Sequence, residues 1–174
     1  GELWLTLYNS GLSRMNSLNF TFTNYHPEPG KNSLLSEKVN ALEIDSRDRV
    51  WVGTESGLSI YDPQTGKFTN ITSLPGSDSN DFWVSALKMD STGNMWIGTK
   101  GQGIYTATKD QIMLSIVEPK FKPGSINDID FDTTGQTWVA TDDGPIILSK
   151  STTGNAYVQT KPPVIIRNLV IKAM

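Results

Sequence analysis

Four tryptophans, Trp4, Trp51, Trp96 and Trp138, stand 47, 45 and 42 residues apart (51−4, 96−51, 138−96), and the residues around them repeat in register. An aspartate lies six residues before the indole in three copies: Asp45, Asp90 and Asp132. A glycine lies three before it at Gly1, Gly93 and Gly135, with Asp48 in its place in the second copy. An aliphatic residue lies twelve before (Val39, Val84, Ile126), and a threonine three after (Thr54, Thr99, Thr141); Thr6 follows Trp4 by only two. Trp83 falls outside the register. Self-similarity with a period of roughly 20–50 residues identifies a repeat architecture, so one unit has to be solved before the whole.

The unit reads as four short strands. In the second copy these are 39–45, 50–54, 58–62 and 68–72, separated by "DSRDR", "ESG" and "PQTGK". Aliphatic and threonine-rich runs of about five residues, broken by Gly, Pro and Asp turns, are those of an antiparallel meander. Leu42 and Ile44 are expected on one face of the first strand and Val39 and Ala41 on the other, so both faces need cover. Four-stranded units with two covered faces are propeller blades. The fold class is therefore all-β, a partial β-propeller of about three and a half blades, an incomplete ring. The blades are 1–25 (partial), 39–72, 84–117 and 126–158. Each repeated tryptophan is expected as a wedge between blades, each aspartate as a turn acceptor for backbone amides, and each threonine as a strand-end hydroxyl serving a loop amide.

Composition removes some functions. A net charge of −3 without a basic run argues against nucleic acid as a partner. There is no cysteine, which rules out disulfides and thiolate metal sites. No apolar run is long enough to span a bilayer, and no signal peptide is visible, so membrane contact by these residues is not expected.

The stretch "NSLLSEKVNALEIDSRDRVWVGTESGLSIYDPQTGKF" (32–68) resembles the two-component regulator propeller repeat. The copy at 80–105 keeps Val84, Asp90, Gly93, Trp96, Gly98, Thr99, Gly103 and Tyr105 but loses the Asp-Pro pair. The third has Ala140 for glycine and Pro145 where a Gly-Leu strand should begin. The tail "KPPVIIRNLVIKAM" is similar to the first strand of the small β-sandwich that follows such propellers, which divides the chain into 1–160 and 161–174. The resemblance implies the periplasmic or extracellular sensor region of a membrane-anchored hybrid histidine kinase that detects glycan fragments. It also implies the remaining blades and downstream domains as partners.

Strand alternation puts the links between blades and the links between second and third strands on one face. That face carries Tyr25 and His26 in "TNYHPEPGK" and Asp78, Asp81 and Trp83 in "SDSNDFW". Aromatic rings beside carboxylates suit an oligosaccharide. The plainer reading, which we favour, has Phe82 and Trp83 filling the gap between blades. The run 77–81 lacks the central glycine and closing glutamate of a calcium loop, and Asp142 and Asp143 read as a charged hairpin tip. The chain has one histidine, and no nucleophile–base pair or flanking carboxylate pair stands out. The expectation is a non-catalytic sensing segment with no cofactor and no metal. Its open blade edges are expected to pair it as a homodimer. The alternatives are a polysaccharide-acting propeller hydrolase or lyase, with His26 as the lyase's one candidate, and a plain interaction scaffold.

Overall fold

A computed structural model describes residues 2–6, 9–76, 82–108, 110–117, 124–151 and 157–160. The tail 161–174, with Gly1, Asp78 and Asp81, lies outside the described residues.

Turn chemistry and alternating apolar residues give strands and no helix among the described residues. The first sheet holds β1 (Glu2–Thr6), β2 (Leu12–Asn16) and β3 (Phe22–Tyr25), in that order. The second holds β4 (Val39–Ile44), β5 (Val50–Thr54), β6 (Gly57–Asp62) and β7 (Lys67–Ile71). The third holds β8 (Val84–Met89), β9 (Met95–Thr99), β10 (Ile104–Ala107) and the short β11 (Ser115–Ile116). The fourth holds β12 (Ile126–Phe131), β13 (Thr137–Thr141), β14 (Gly144–Lys150) and β15 (Tyr157–Thr160). Each strand pairs with its neighbour in sequence, the meander of a blade. Trp4 lies on β1 as Trp51 lies on β5, so the first sheet supplies the second, third and fourth strands of its blade. The fold is an all-β, partial β-propeller.

The chain divides into two compact units, Gly1–Val84 and Ser85–Met174. Within the first, Leu12, Leu34, Val50, Val52, Tyr61 and Phe68 form the core, with Trp4, Tyr25, Val39 and Leu42 packed against it. The Trp4 ring lies 5.4 Å from Tyr61 and 5.7 Å from Tyr25, so the indole joins the first sheet to the second. Within the second unit, Trp96 reaches forward from β9. Phe131 and Tyr157 meet it edge-on at 5.6 and 5.2 Å, over a floor that includes Ile104, Ile129, Val139 and Leu148. Each such aromatic pair adds ~0.5–1.5 kcal/mol beyond the area it buries.

The simple alternation expected for the first strand fails. Val39 and Leu42 pack against the same core, and Ile44 is exposed. A register shift between Val39 and Ala41 inserts one residue into β4, and a bulge of one residue turns the side chains before it onto the opposite face. The fourth sheet repeats the irregularity between Ile126 and Asp128.

Candidate functional site

The repeated carboxylates have one local geometry, and the turn they close dictates it. Asp90 Oδ1 accepts the Thr92 amide (2.9 Å), the Thr92 hydroxyl (2.7 Å) and the Asn94 amide (2.9 Å). Its Oδ2 accepts the Trp96 indole N–H at 3.1 Å. Asp132 does the same with Thr134, Gln136 and Trp138, whose indole donates at 3.0 Å. Asp45 does so with the Arg47 and Arg49 amides and the Trp51 indole at 2.8 Å, and the Arg49 guanidinium takes the place of a hydroxyl donor. The turn's left-handed position holds Gly93 (φ +86°), Gly135 (φ +83°) and Asp48 (φ +60°). Aspartate is among the few residues with a side chain that enter that region readily, which explains its exchange with glycine.

Burial alone would raise the Asp45 and Asp90 carboxyls. The indole, hydroxyl, guanidinium and amide donors outweigh it, and both lie below the ordinary aspartate range. Asp132, led by the Thr134 hydroxyl and the Trp138 indole, is pulled down to about 2. At neutral pH all three are anions, each held by several donors of its own turn. The indole donor was not anticipated from the sequence, although the constant spacing of six residues carried the signal.

The repeated threonines close the link between second and third strands. The Thr54, Thr99 and Thr141 hydroxyls donate to the carbonyls of Gly57 (2.9 Å), Gly103 (2.7 Å) and Gly144 (2.7 Å). They accept the amides of Ser56, Gln102 and Asp143. Asn32, to which the sequence assigned no role, brackets Phe68: its amide nitrogen donates to the Phe68 carbonyl and its oxygen accepts the Phe68 amide, both at 2.6 Å. Asp142 accepts the Asn127 amide group (2.9 Å) and the Ser125 backbone, which ties the hairpin tip to the strand that begins the fourth sheet.

The residues expected to grip a ligand part company. Tyr25 is packed inward, 4.9 Å from the Tyr61 ring and 5.8 Å from Phe68, and the two phenolic oxygens are hydrogen-bonded at 3.1 Å. Burial, then the Tyr61 hydroxyl, raises its phenol above the usual range. His26 is exposed, with Nδ1 3.6 Å from Glu37 Oε1. Phe82 is 1% exposed and serves the core, while Trp83 is half-buried beside it. The loop face of the first unit also carries a Lys38–Glu55 ion pair at 2.8 Å. On the opposite face a polar cleft of about 420 Å³ is lined by Ser46, Arg47, Asp48, Arg49, Asp62 and Gln64. The sequence had directed attention to the other face. Arginines where the other copies carry Thr92, Asn94, Thr134 and Gln136 were the available clue.

The family model described as "Two component regulator propeller" matches residues 33–56 and 76–101. Two of its repeats match that model. The match covers the turns and strands that hold Asp45, Trp51 and Thr54 and, in the next copy, Asp90, Trp96 and Thr99. A histidine kinase of Formosa agariphila is 39% identical over 59 residues, which is 33% of this chain and 4% of that protein. Among solved structures, the extracellular domain of a hybrid two component system from B. thetaiotaomicron superposes with a TM-score of 0.77 at 24% identity. That match covers 95% of this chain and 22% of the other. Virginiamycin B lyase from Staphylococcus aureus superposes with a TM-score of 0.69 at 21% identity, over 94% of this chain and 53% of the lyase. The blade fold is thus shared by proteins of different activity, and the chain spans a small part of the receptor-type relatives.

Proposed function

We propose that this chain is an extracytoplasmic, non-catalytic segment of a hybrid two-component sensor. On this reading its blades help to present a ligand face, and the response passes to a kinase through the domains that follow. The observation that carries the proposal is the match of the regulator propeller model to the two repeats whose Asp–Trp–Thr geometry is described above. The chemistry of the carboxylates supports the non-catalytic reading. A glycosidase needs one carboxyl raised to act as an acid, and Asp45, Asp90 and Asp132 are all shifted the other way. Each of these carboxylates is engaged first by the donors of its own turn.

The ligand class is an oligosaccharide, bound on the loop face near His26, Glu37 and Trp83, with Asp78 and Asp81 contributing from the adjoining link. The segment 161–174 begins the following β-sandwich, and pairs of receptors form the signalling dimer. Ligand would act by favouring one packing of that dimer over another. Calorimetric titration with a panel of oligosaccharides, alongside chromatography of the same mixtures, tests this. Binding without new products supports the sensor. Cleavage of any glycan that falls with His26→Ala would replace it with the lyase reading.

A further inference from the structure

One glycine socket in each unit shows how a sheet receives the residue that follows it. A Cβ on Gly53 of β5 would lie 2.6 Å from Val84 Cγ1 and 3.2 Å from the Ala41 Cβ. A Cβ on Gly98 of β9 would lie 2.5 Å from Ile126 Cγ2 and 3.1 Å from the Ala86 Cβ. In both cases the missing side chain is a socket and an alanine of the same sheet is its wall. Its plug is the β-branched residue that opens the next first strand.

The fourth sheet departs from this pattern at both positions. Ala140 stands two residues after the tryptophan, where Gly53 and Gly98 stand, and it pairs with Asp128 as Gly53 pairs with Ala41. Trp138 is half-buried, whereas Trp51 and Trp96 are 1% and 2% exposed. Beside it lies a cavity of about 30 Å³ whose lining includes Asp128, Asp130, Trp138, Ala140 and Pro145. A valine or isoleucine seated here as in the other seams would overlap the Ala140 methyl. It would also bury the Asp128 carboxylate against hydrocarbon with only the Ile129 amide (2.9 Å) as a donor and no counter-charge.

We propose that this face of the fourth sheet docks one more blade of the longer polypeptide, and that the docking strand brings a lysine or arginine where the internal seams bring Val84 and Ile126. A thin aliphatic stem passes the alanine methyl, lies along the Trp138 ring and delivers its charge to Asp128. The chain contains a precedent for such a cross-sheet pair: Lys88 of β8 reaches Asp130 of β12 at 3.2 Å. The face is thereby closed to the three first strands of this chain, which carry Val39, Val84 and Ile126 at the plug position. The inference rests on reading these sheets as part of a longer propeller and does not depend on any ligand.

The chain has no cysteine, so Ala140→Cys supplies a unique thiol. Its maleimide labelling rate is to be compared in the 174-residue chain and in the full-length receptor ectodomain. The expected result is rapid labelling in the short chain and at least about tenfold protection in the ectodomain, because a docked blade must open before the thiol reacts. Asp128→Ala in the ectodomain should remove about tenfold of that protection, the loss expected of a hydrogen bond between charged groups, and Asp128→Glu should retain most of it. Equal labelling in the two proteins would overturn the docking. Protection that survives Asp128→Ala would overturn the basic plug. If Ala140→Cys does not fold, exchange of the Trp138 indole N–H in the two otherwise unaltered proteins reads the same occlusion. A receptor that fails to respond to glycans leaves each of these outcomes unchanged.

Discussion

Substituting Gly98 by alanine tests the inter-sheet socket most sharply. The new methyl would sit 2.5 Å from Ile126 Cγ2, 2.9 Å from its Cβ and 3.1 Å from the Ala86 Cβ. None of these atoms is the free end of a flexible side chain: Ile126 is β-branched and fully buried, and Ala86 is fixed to β8. Overpacking of this kind costs ~1–3 kcal/mol. Replacing glycine also restricts the unfolded chain, which returns ~0.4–1 kcal/mol, so the net loss is about 1–2 kcal/mol. Urea denaturation followed by tryptophan fluorescence reads it as a lower midpoint at constant slope. The decisive arm is the double variant. Ile126→Ala alone should cost ~2–5 kcal/mol as a cavity, yet combined with Gly98→Ala the two should cost less than their sum by at least ~0.5 kcal/mol, because the methyl then occupies vacated space. Strict additivity, or a neutral Gly98→Ala, would refute the socket.

Three other outcomes follow from the repeat geometry. Asp90→Ala leaves the Trp96 indole N–H buried without its acceptor and should lower stability by ~1–3 kcal/mol, measured by urea midpoint, with a change in tryptophan emission. Thr99→Val removes the hydroxyl bonds to Gly103 and Gln102 and should cost about 1–2 kcal/mol, whereas Thr99→Ser should recover most of it in thermal melts. Unfolded aspartates titrate near 3.8, while folded Asp132 holds off protonation to about 2 and Asp45 and Asp90 are shifted the same way. The unfolded state binds more protons in that window, so stability present above pH 4 should decline as pH falls towards 2. A stability profile flat from pH 5 to pH 2 would contradict the ionised turns.

The blades were legible because their signal is periodic. Strands expected at 50–54 and 58–62 are found at Val50–Thr54 and Gly57–Asp62, since turn residues at fixed offsets bound them on both sides. The face assignment within β4 was not legible, because one bulged residue reverses it and nothing in "VNALEI" marks the insertion. Tyr25 was the instructive case. It looked like a loop aromatic, yet Leu12 pairs with Tyr25 as Leu58 pairs with Ile71, both thirteen residues on (25−12, 71−58). Extending the Gly-Leu element of the repeat back to Gly11–Leu12 would have placed Tyr25 at a partly buried position on a fourth strand. A ligand face has no such arithmetic. Side chains that differ between blades, such as His26 or Arg47, fall outside that arithmetic, and a repeat says least where its copies differ.

Indole N–H exchange, followed residue by residue by NMR, tests the wedge packing most directly. The account predicts that the Trp51 and Trp96 protons, buried and bonded to Asp45 and Asp90, exchange slowest and are released together with the backbone amides of β5 and β9. It predicts faster exchange at Trp138, which has the same aspartate bond but a half-buried ring. Comparable exchange at all five tryptophans, or protection at Trp138 exceeding that at Trp96, would contradict it.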